Sequence, residues 1–223
     1  MYVRRLDNTI LTLQASGSLW RDALVMHDME TDTRWSQILG SGIKGKHKDH
    51  RLELYPSRMT SFAEFAAEYP DGRALSKPAE IEGSPYERYF SDDARMGVFG
   101  TQNIDDRLPG KARVIGVKLG DDRLAIGVPD DGEPMLYNGS INDIAIVAYW
   151  EPGAETAVVF KRPTDKALSL TDDGQLGIAD QRWDVLSGKA ADGTALEPVP
   201  FTLVYWFAWR NFYKDTRLEK IGG

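Results

Sequence analysis

The chain has 223 residues, of which 42% are hydrophobic and 27% charged, with a formal net charge of −7 and a pI near 5.1. This composition is that of an ordinary globular protein, and it excludes wholesale disorder. The acidic balance argues against broad contact with nucleic acid or with an anionic membrane surface. Because the chain contains no cysteine, disulfides, thiolate zinc sites and a cysteine nucleophile are excluded.

The first predicted elements are short strands. Tyr2–Arg5 and Thr9–Leu13 alternate in polarity and are separated by a polar turn, which predicts a β-hairpin. Two further strands are predicted over Ala23–His27 and Thr33–Ile38. The polar and basic segment Ile43–Arg51 predicts a loop.

A helix is predicted after the short strand Leu52–Tyr55. Its apolar positions recur at i, i+3, i+4 and i+7, the spacing of one helix face: Phe62, Phe65, Ala66 and Tyr69. Thr60 or Ser61 is the candidate cap. Few apolar residues occur over residues 77–110, which we interpret as a connector.

The second half predicts more strands and one more helix. Val114–Leu119 and Arg123–Val128 flank a Gly-Asp-Asp turn and predict a hairpin, while Ile144–Trp150 and Thr156–Phe160 are apolar enough for buried strands. Aromatic residues at helical spacing follow near the C-terminus, with Thr202 as the candidate cap.

Residues 51–73 align without a gap on residues 195–217. Average composition would give about one or two identities by chance, and the identical pairs are more numerous: Leu52, Glu53, Pro56, Tyr69, Asp71 and Arg73 match Leu196, Glu197, Pro200, Tyr213, Asp215 and Arg217. Upstream, Asp32–Trp35 aligns with Asp180–Trp183. An internal repeat is therefore predicted.

The repeat gives the expected architecture. The fold class is α+β, mainly β, with two copies of a β-meander-plus-helix unit and one helix against each sheet. The first repeat covers residues 1–76, the connector 77–110 and the second repeat 111–223. Residues 111–157 precede the aligned part of the second copy without a counterpart before the first, so we expect the first copy to be truncated at its N-terminus.

The chain resembles an uncharacterised prokaryotic family, domain of unknown function 3179 (DUF3179). Several motifs support the resemblance through their order and spacing: Ser16-Gly17, Glu30-Thr31, Trp35-Ser36-Gln37, Asp106–Pro109, Asn142-Asp143 and the aromatic helix at Trp206–Trp209. Members of that family usually carry an upstream His-Glu and a Cys-Pro-x-Cys segment, which this chain lacks. The resemblance therefore implies an architecture and leaves the activity open.

One turn gathers the candidate ligand-binding residues. Acidic side chains are followed by an aromatic residue, a hydroxyl and an amide: Asp28, Glu30, Trp35, Ser36 and Gln37. Carboxylates could perform acid–base chemistry if burial shifted a pKa, and an aromatic ring beside amides could bind a sugar or another polar ligand. The alternative is that Asp28 binds turn backbone and Trp35 belongs to the core.

His47 and His50 are a weaker candidate for a metal site. They lie in a basic segment whose cations would oppose binding of a metal ion, so a solvated turn or a phosphate-binding patch is the preferred interpretation. We assign no catalytic residue, no metal ligand and no cofactor. P-loop, dinucleotide-binding, nucleophile-elbow and zinc-protease motifs are absent from the sequence.

The leading hypothesis is a non-catalytic binding or protein-interaction module that forms a homo-oligomer or binds a protein partner through an exposed sheet edge. One rival is a hydrolase-like or small-ligand or sugar-processing enzyme with a site over Asp28–Gln37. Another is a degenerate paralogue of a metal-binding family. No apolar run has the length of a transmembrane helix, and Met1–Asp7 lacks the apolar core of a signal peptide, so we expect a soluble protein of unknown compartment.

Overall fold

The computed structural model describes residues 1–58, 60–74, 86–97, 100–101 and 104–221, and they form a mainly β protein. The first half contains six strands and a helix: β1 (Arg5–Leu6), β2 (Thr9–Ile10), β3 (Leu13–Trp20), β4 (Ala23–Asp28), β5 (Arg34–Ser36), β6 (Ser41–Lys44) and α1 (Phe62–Glu68). Strands β3 to β6 form an antiparallel meander in sequence order, and β1 pairs only with β2.

The second half begins after a short helix, α2 (Glu87–Phe90). Its elements follow in this order: β7 (Arg113–Leu119), β8 (Asp122–Gly127), β9 (Met135–Ile141), β10 (Ile144–Glu151), β11 (Thr156–Lys161), β12 (Ser169–Leu170), β13 (Leu176–Ile178), β14 (Gln181–Trp183), β15 (Phe201–Tyr205), α3 (Trp206–Phe212) and β16 (Arg217–Lys220). They form three sheets, ordered β15-β7-β8-β16, β11-β10-β9 and β12-β13-β14.

The main core lies between the sheet that contains β7 and the sheet that contains β10. Successive side chains of a strand point to opposite faces, and both faces of β7 are buried. Ile115 and Val117 face the β10 sheet, whereas Val114 packs with α3. Gly116 lies directly beneath the Trp209 ring, which a methyl group at position 116 would overlap. A glycine is therefore required where α3 crosses β7.

Two smaller clusters have aligned members in the two halves. The first cluster consists of Leu11, Trp35 and Leu52. The second cluster contains the residues aligned with these three, Leu168, Trp183 and Leu196, and all of them are buried. In both clusters the tryptophan lies on a short strand that pairs with the strand before it.

The backbone around these clusters also has matching hydrogen bonds. The Leu52 amide donates to the Gly40 carbonyl at 2.8 Å, and the Leu196 amide donates to the Gly188 carbonyl at 2.8 Å. Both glycines have positive φ, +63° and +69°, which a side chain would disfavour. Two further pairs of backbone hydrogen bonds match. The Val3 amide donates to the Glu53 carbonyl at 2.9 Å, as the Lys161 amide donates to the Glu197 carbonyl at 2.8 Å. The Tyr55 amide donates to the Met1 carbonyl at 2.7 Å, as the Val199 amide donates to the Val159 carbonyl at 2.8 Å.

Helices α1 and α3 occupy aligned residues and end in the same way. Their C-cap residues, Tyr69 and Tyr213, have φ and ψ of −127° and 76° and of −124° and 78°. Helix α1 begins with a capping box in which the Ser61 hydroxyl accepts from the Glu64 amide. The N-cap of α3 is Tyr205, without a side-chain cap.

Several local predictions are confirmed, including both hairpins, the strands near Ala23, Ile144 and Thr156, and the helix capped at Ser61. The Thr202 cap is wrong, because Thr202 lies inside β15. The loop over Ile43–Arg51 is wrong at its start, which belongs to β6. The strand predicted over Leu52–Tyr55 makes only an isolated bridge at Leu54.

The expectation that each helix packs on a sheet is wrong for α1, which has no buried residue. Part of the predicted connector is also helical, since α2 lies within it. Residues 77–85, 98, 99, 102 and 103 of that connector lie outside the described residues, as do residue 59, residues 75 and 76 of the first predicted repeat and residues 222 and 223 of the second.

Candidate functional site

The turn between β4 and β5 holds the predicted ligand-binding residues. Asp28 is the last residue of β4, and Trp35 and Ser36 lie in β5. The antiparallel register pairs Met26 with Trp35. This pairing brings the carboxylate at the end of one strand to the indole on the other.

The Asp28 carboxylate is buried and fully engaged in hydrogen bonds. Its Oδ2 accepts from the Trp35 Nε1 at 2.8 Å, and its Oδ1 accepts from the Thr31 amide at 2.5 Å and the Thr31 hydroxyl at 2.7 Å. Burial alone would raise the pKa of Asp28, but the hydrogen bonds from Trp35 and Thr31 together lower it. A carboxylate that stays ionised within a filled set of donors is suited to holding a turn.

The other predicted residues are divided between the interior and the surface. Ser36 is buried, and its hydroxyl accepts from the Leu39 amide at 3.3 Å. Glu30 is exposed, and its carboxylate accepts from the Thr12 amide at 2.8 Å, which lowers the pKa of Glu30. Gln37 is also exposed, and its backbone carbonyl accepts from the Tyr2 hydroxyl at 2.5 Å.

The turn itself differs between the two halves. Only Ala179 and Asp180 lie between β13 and β14, whereas the longer segment after Asp28 separates β4 and β5. The Asp28 network therefore belongs to the first half alone. Its geometry favours a structural role for Asp28 and Trp35.

His47 and His50 pack against each other edge to face, with ring centroids 5.3 Å apart. The His47 ring also stacks on Trp35, with centroids 6.3 Å apart. Among the described residues, no group of three or more histidine, aspartate or glutamate side chains has a geometry that could hold a metal ion.

Helix α1 presents an aromatic surface that sequence reasoning did not single out. We define the α1 aromatic surface as Phe62, Phe65 and Tyr69. Phe62 is 70% exposed and Tyr69 is 50% exposed, while Phe65 is half-buried. The Phe65 ring centroid lies 6.5 Å from that of Phe62 and 5.6 Å from that of Tyr69, so the three rings form one continuous patch.

The aligned face of α3 is covered. The residues aligned with the α1 aromatic surface are Trp206, Trp209 and Tyr213, which are at most 8% exposed. They pack on Val114 and Ala125 of the β15-β7-β8-β16 sheet. Two helices of equal length at aligned positions therefore differ in what lies against their aromatic faces.

The polar side of α1 holds the helix against the rest of the protein. The Glu64 carboxylate accepts from the hydroxyls of Thr60 and of Thr156 on β11, the latter at 2.8 Å. Burial would raise the pKa of Glu64, but the hydrogen bonds from the two threonines lower it. Arg58 and Glu68 form an ion pair beside this contact. These contacts leave Phe62 and Tyr69 largely exposed, whereas Phe65 is half-buried.

A groove of about 840 Å³ runs beside α1. Tyr55, Phe65 and Tyr69 line one wall, and Val159 of β11 and Phe201 of β15 lie on the other. Tyr55 is 59% exposed. The exposed rings therefore border a concave apolar region, a shape that suits protein contact better than isolated surface rings would.

Comparison with known proteins identifies a family. The model of a family described as "Protein of unknown function (DUF3179)" matches residues 1–216, which confirms the resemblance noted from the sequence motifs. No curated protein and no solved structure matches the chain. Among the described residues, no helix has both the length and the apolar character needed to cross a membrane.

Proposed function

Since the chain belongs to the DUF3179 family of proteins of unknown function, we propose from its structure that it is a non-catalytic protein-interaction module that self-associates through the α1 aromatic surface. The observation behind this proposal is the exposure of Phe62 and Tyr69 on a helix whose internal counterpart buries the same positions. Clustered exposed aromatic side chains are typical of interaction sites.

We infer as part of this proposal that the chain is an internal duplication. Three observations support it: the aligned hydrogen bonds, the paired clusters around Trp35 and Trp183, and the similar C-terminal ends of the two helices. In this interpretation residues 1–76 and 111–223 are the copies and residues 77–110 connect them. Strands β7 and β8 cover α3. Within the described part of the chain no equivalent strands lie against α1, which accounts for its exposed face.

A second copy of the chain is the occupant we propose for this face. A two-fold dimer places the same patch on both sides of the interface, so a surface that is aromatic throughout is complementary to itself. Offset and edge-to-face ring contacts across the axis would add to the apolar area removed from water. The Glu64 carboxylate is occupied by Thr156 of β11. The Glu68 carboxylate lies beside Tyr69 and is neutralised by its ion pair with Arg58, so neither glutamate brings an unpaired charge to the contact.

The exposed sheet edge is a less suitable site. Strand β3 lies at the edge of its sheet among the described residues. A bulge between Ala15 and Ser18 interrupts its ladder, and Gly17 within it has a φ of +72°. Bulges of this kind bend an edge away from further strand pairing.

The turn from Asp28 to Gln37 has a structural role in this proposal. Its hydrogen bonds are made within the protein, and its indole is fully buried. No feature of the described residues favours the enzyme interpretation over this one.

Sedimentation velocity over a concentration series from about 1 to about 500 μM tests the proposal. We expect a monomer–dimer equilibrium for the wild-type chain. The variant Phe62→Ser/Tyr69→Ser is expected to weaken dimerisation at least about tenfold, because interface aromatic residues commonly contribute more than about 1 kcal/mol each. Both positions are largely exposed, so the variant should keep the wild-type unfolding midpoint at low concentration.

Met29→Ser is the matched control, since Met29 is a 56% exposed apolar residue at another surface. It should dimerise like the wild type. A wild-type chain that remains monomeric over the whole series, or a dimer insensitive to the Phe62→Ser/Tyr69→Ser change, would rule out the proposal.

A further inference from the structure

A cleft lies between the first half of the chain and the β7-β8 hairpin. It consists of two adjoining cavities of about 270 and 330 Å³. The two cavities share four lining residues, Leu39, Arg51, Lys118 and Tyr213, and therefore lie side by side. None of the residues of the α1 aromatic surface lines it, so this region is independent of the proposed self-association site.

Four cationic side chains of the described residues line the cleft. Among the described residues, neither Arg51 nor Lys118 forms an ion pair or donates a side-chain hydrogen bond. Arg123 donates to the Gly120 and Asp122 carbonyls at 2.9 and 2.7 Å, and it forms no ion pair within the described part of the chain. Burial lowers the pKa of Lys118, and the nearby Arg51 and Arg123 lower it further, while the Asp121 carboxylate opposes part of this shift. The Lys118 ammonium therefore lies in a locally positive, partly desolvated position.

The acidic residues of the cleft lie in its outer cavity and offset this positive charge only in part. Asp122 uses its carboxylate oxygens to accept from the Arg123 amide at 2.9 Å and the Asn142 amide at 3.0 Å. Asp121 and Asp215 are exposed and line only the outer cavity together with Lys214. Of the described residues that line the inner cavity, the charged ones are Arg51 and Lys118.

The rest of the inner wall is apolar or aromatic. Ile38, Leu52 and Leu54 come from the first half, and Trp209 from the second. The Tyr2 hydroxyl is already bound to the carbonyls of Gln37 and Ile38, at 2.5 and 3.3 Å. A pocket with an apolar wall and a few converging polar groups is the usual form of a small-molecule site.

We propose that this cleft binds a small organic anion, with its phosphate or carboxylate group between Arg51 and Lys118 and its apolar part against Ile38 and Leu39. The guanidinium can bind either group with two parallel hydrogen bonds, and the ammonium adds a point charge. The bound anion supplies the negative charge that Arg51 and Lys118 lack within the protein.

Isothermal titration calorimetry of the full chain with phenyl phosphate, benzoate and inorganic phosphate tests this proposal. We expect phenyl phosphate or benzoate to bind, and whichever binds more tightly identifies the anionic group. Inorganic phosphate should bind at least about tenfold more weakly, because it lacks an apolar part. Arg51→Met and Lys118→Met should each reduce affinity for the aromatic anion at least about tenfold.

The Lys118→Met variant also separates binding from folding. Removing an unpaired, partly buried cation should keep or raise the unfolding midpoint in ligand-free buffer while abolishing the ligand-induced increase. Lys166→Met is the control, because Lys166 is an exposed lysine that does not line the cleft. The proposal is overturned if neither aromatic anion binds at up to about 10 mM, or if binding survives both cleft substitutions.

Discussion

Replacing Trp209 with alanine is expected to lower the free energy of unfolding by about 3–5 kcal/mol, the usual cost of removing a large aromatic side chain from a core. Trp209 is 2% exposed and covers Gly116, and its ring centroid lies 4.3 Å from that of Tyr213. Its Nε1 also donates to the Thr216 hydroxyl at 3.0 Å. Urea unfolding followed by circular dichroism measures the change.

The aligned substitution Phe65→Ala is the matched comparison. Phe65 is half-buried on a helix without buried residues, so the expected loss is about 1 kcal/mol or less at low protein concentration. A loss for Phe65→Ala as large as that for Trp209→Ala would mean that α1 is covered in the folded monomer. That result would remove the basis of the proposed self-association.

Replacing Asp28 with asparagine is expected to lower the free energy of unfolding by about 3 kcal/mol at neutral pH. The amide cannot accept from all of the Trp35 indole and Thr31 donors, so at least one buried donor loses its acceptor, and the charge-assisted bonds become neutral. Urea unfolding at pH 7 measures this change. Asp32→Asn is the control, because the Asp32 side chain is 69% exposed and should change stability by about 0.5 kcal/mol or less.

The difference in unfolding free energy between the wild type and Asp28→Asn is expected to depend on pH. The pKa of Asp28 is lower in the folded protein than its ordinary value near 3.9. Its contribution to stability is therefore complete above about pH 4 and is lost as the pH falls through the folded-state pKa. The difference between wild type and Asp28→Asn should be constant from neutral pH down to about pH 5 and narrow below about pH 4. A difference that stays unchanged down to about pH 3 would mean that the Asp28 charge does not stabilise the turn.

Elements with strong local signals could be predicted from the sequence. The β7-β8 hairpin has a Gly-Asp turn between apolar strands, and the N-terminus of α1 has the capping box of Ser61 and Glu64. The β3-β4 hairpin was not predicted, because its turn residues Arg21 and Asp22 adopt φ of 53° and 61° without the Asn-Gly signal typical of such turns. Strands β15 and β16 depend on distant partners in the sheet, and local propensity does not specify these.

The functional surfaces were less predictable than the elements that position them. Helical spacing correctly placed Phe62, Phe65 and Tyr69 on one face, but spacing alone does not say what lies against that face. The cleft cations are dispersed along the chain, and only the tertiary fold brings Arg51 close to Lys118. In contrast, Asp28 could be singled out from the sequence because its neighbours are polar. Of the two roles considered for it, ligand binding and binding of the turn backbone, its contacts agree with the second.

The sheet order β15-β7-β8-β16 also has a consequence for folding during synthesis. Strands β7 and β8 leave the ribosome as a hairpin, yet their outer partners β15 and β16 emerge only after strands β9 to β14. Until Leu203 can pair with Ile115, and Leu218 with Ala125, both sides of the hairpin have unpaired backbone. Such late, long-range pairing slows folding and leaves strand edges open to aggregation. A nascent chain that stalls before α3 is therefore a natural substrate for chaperones that bind exposed apolar strands.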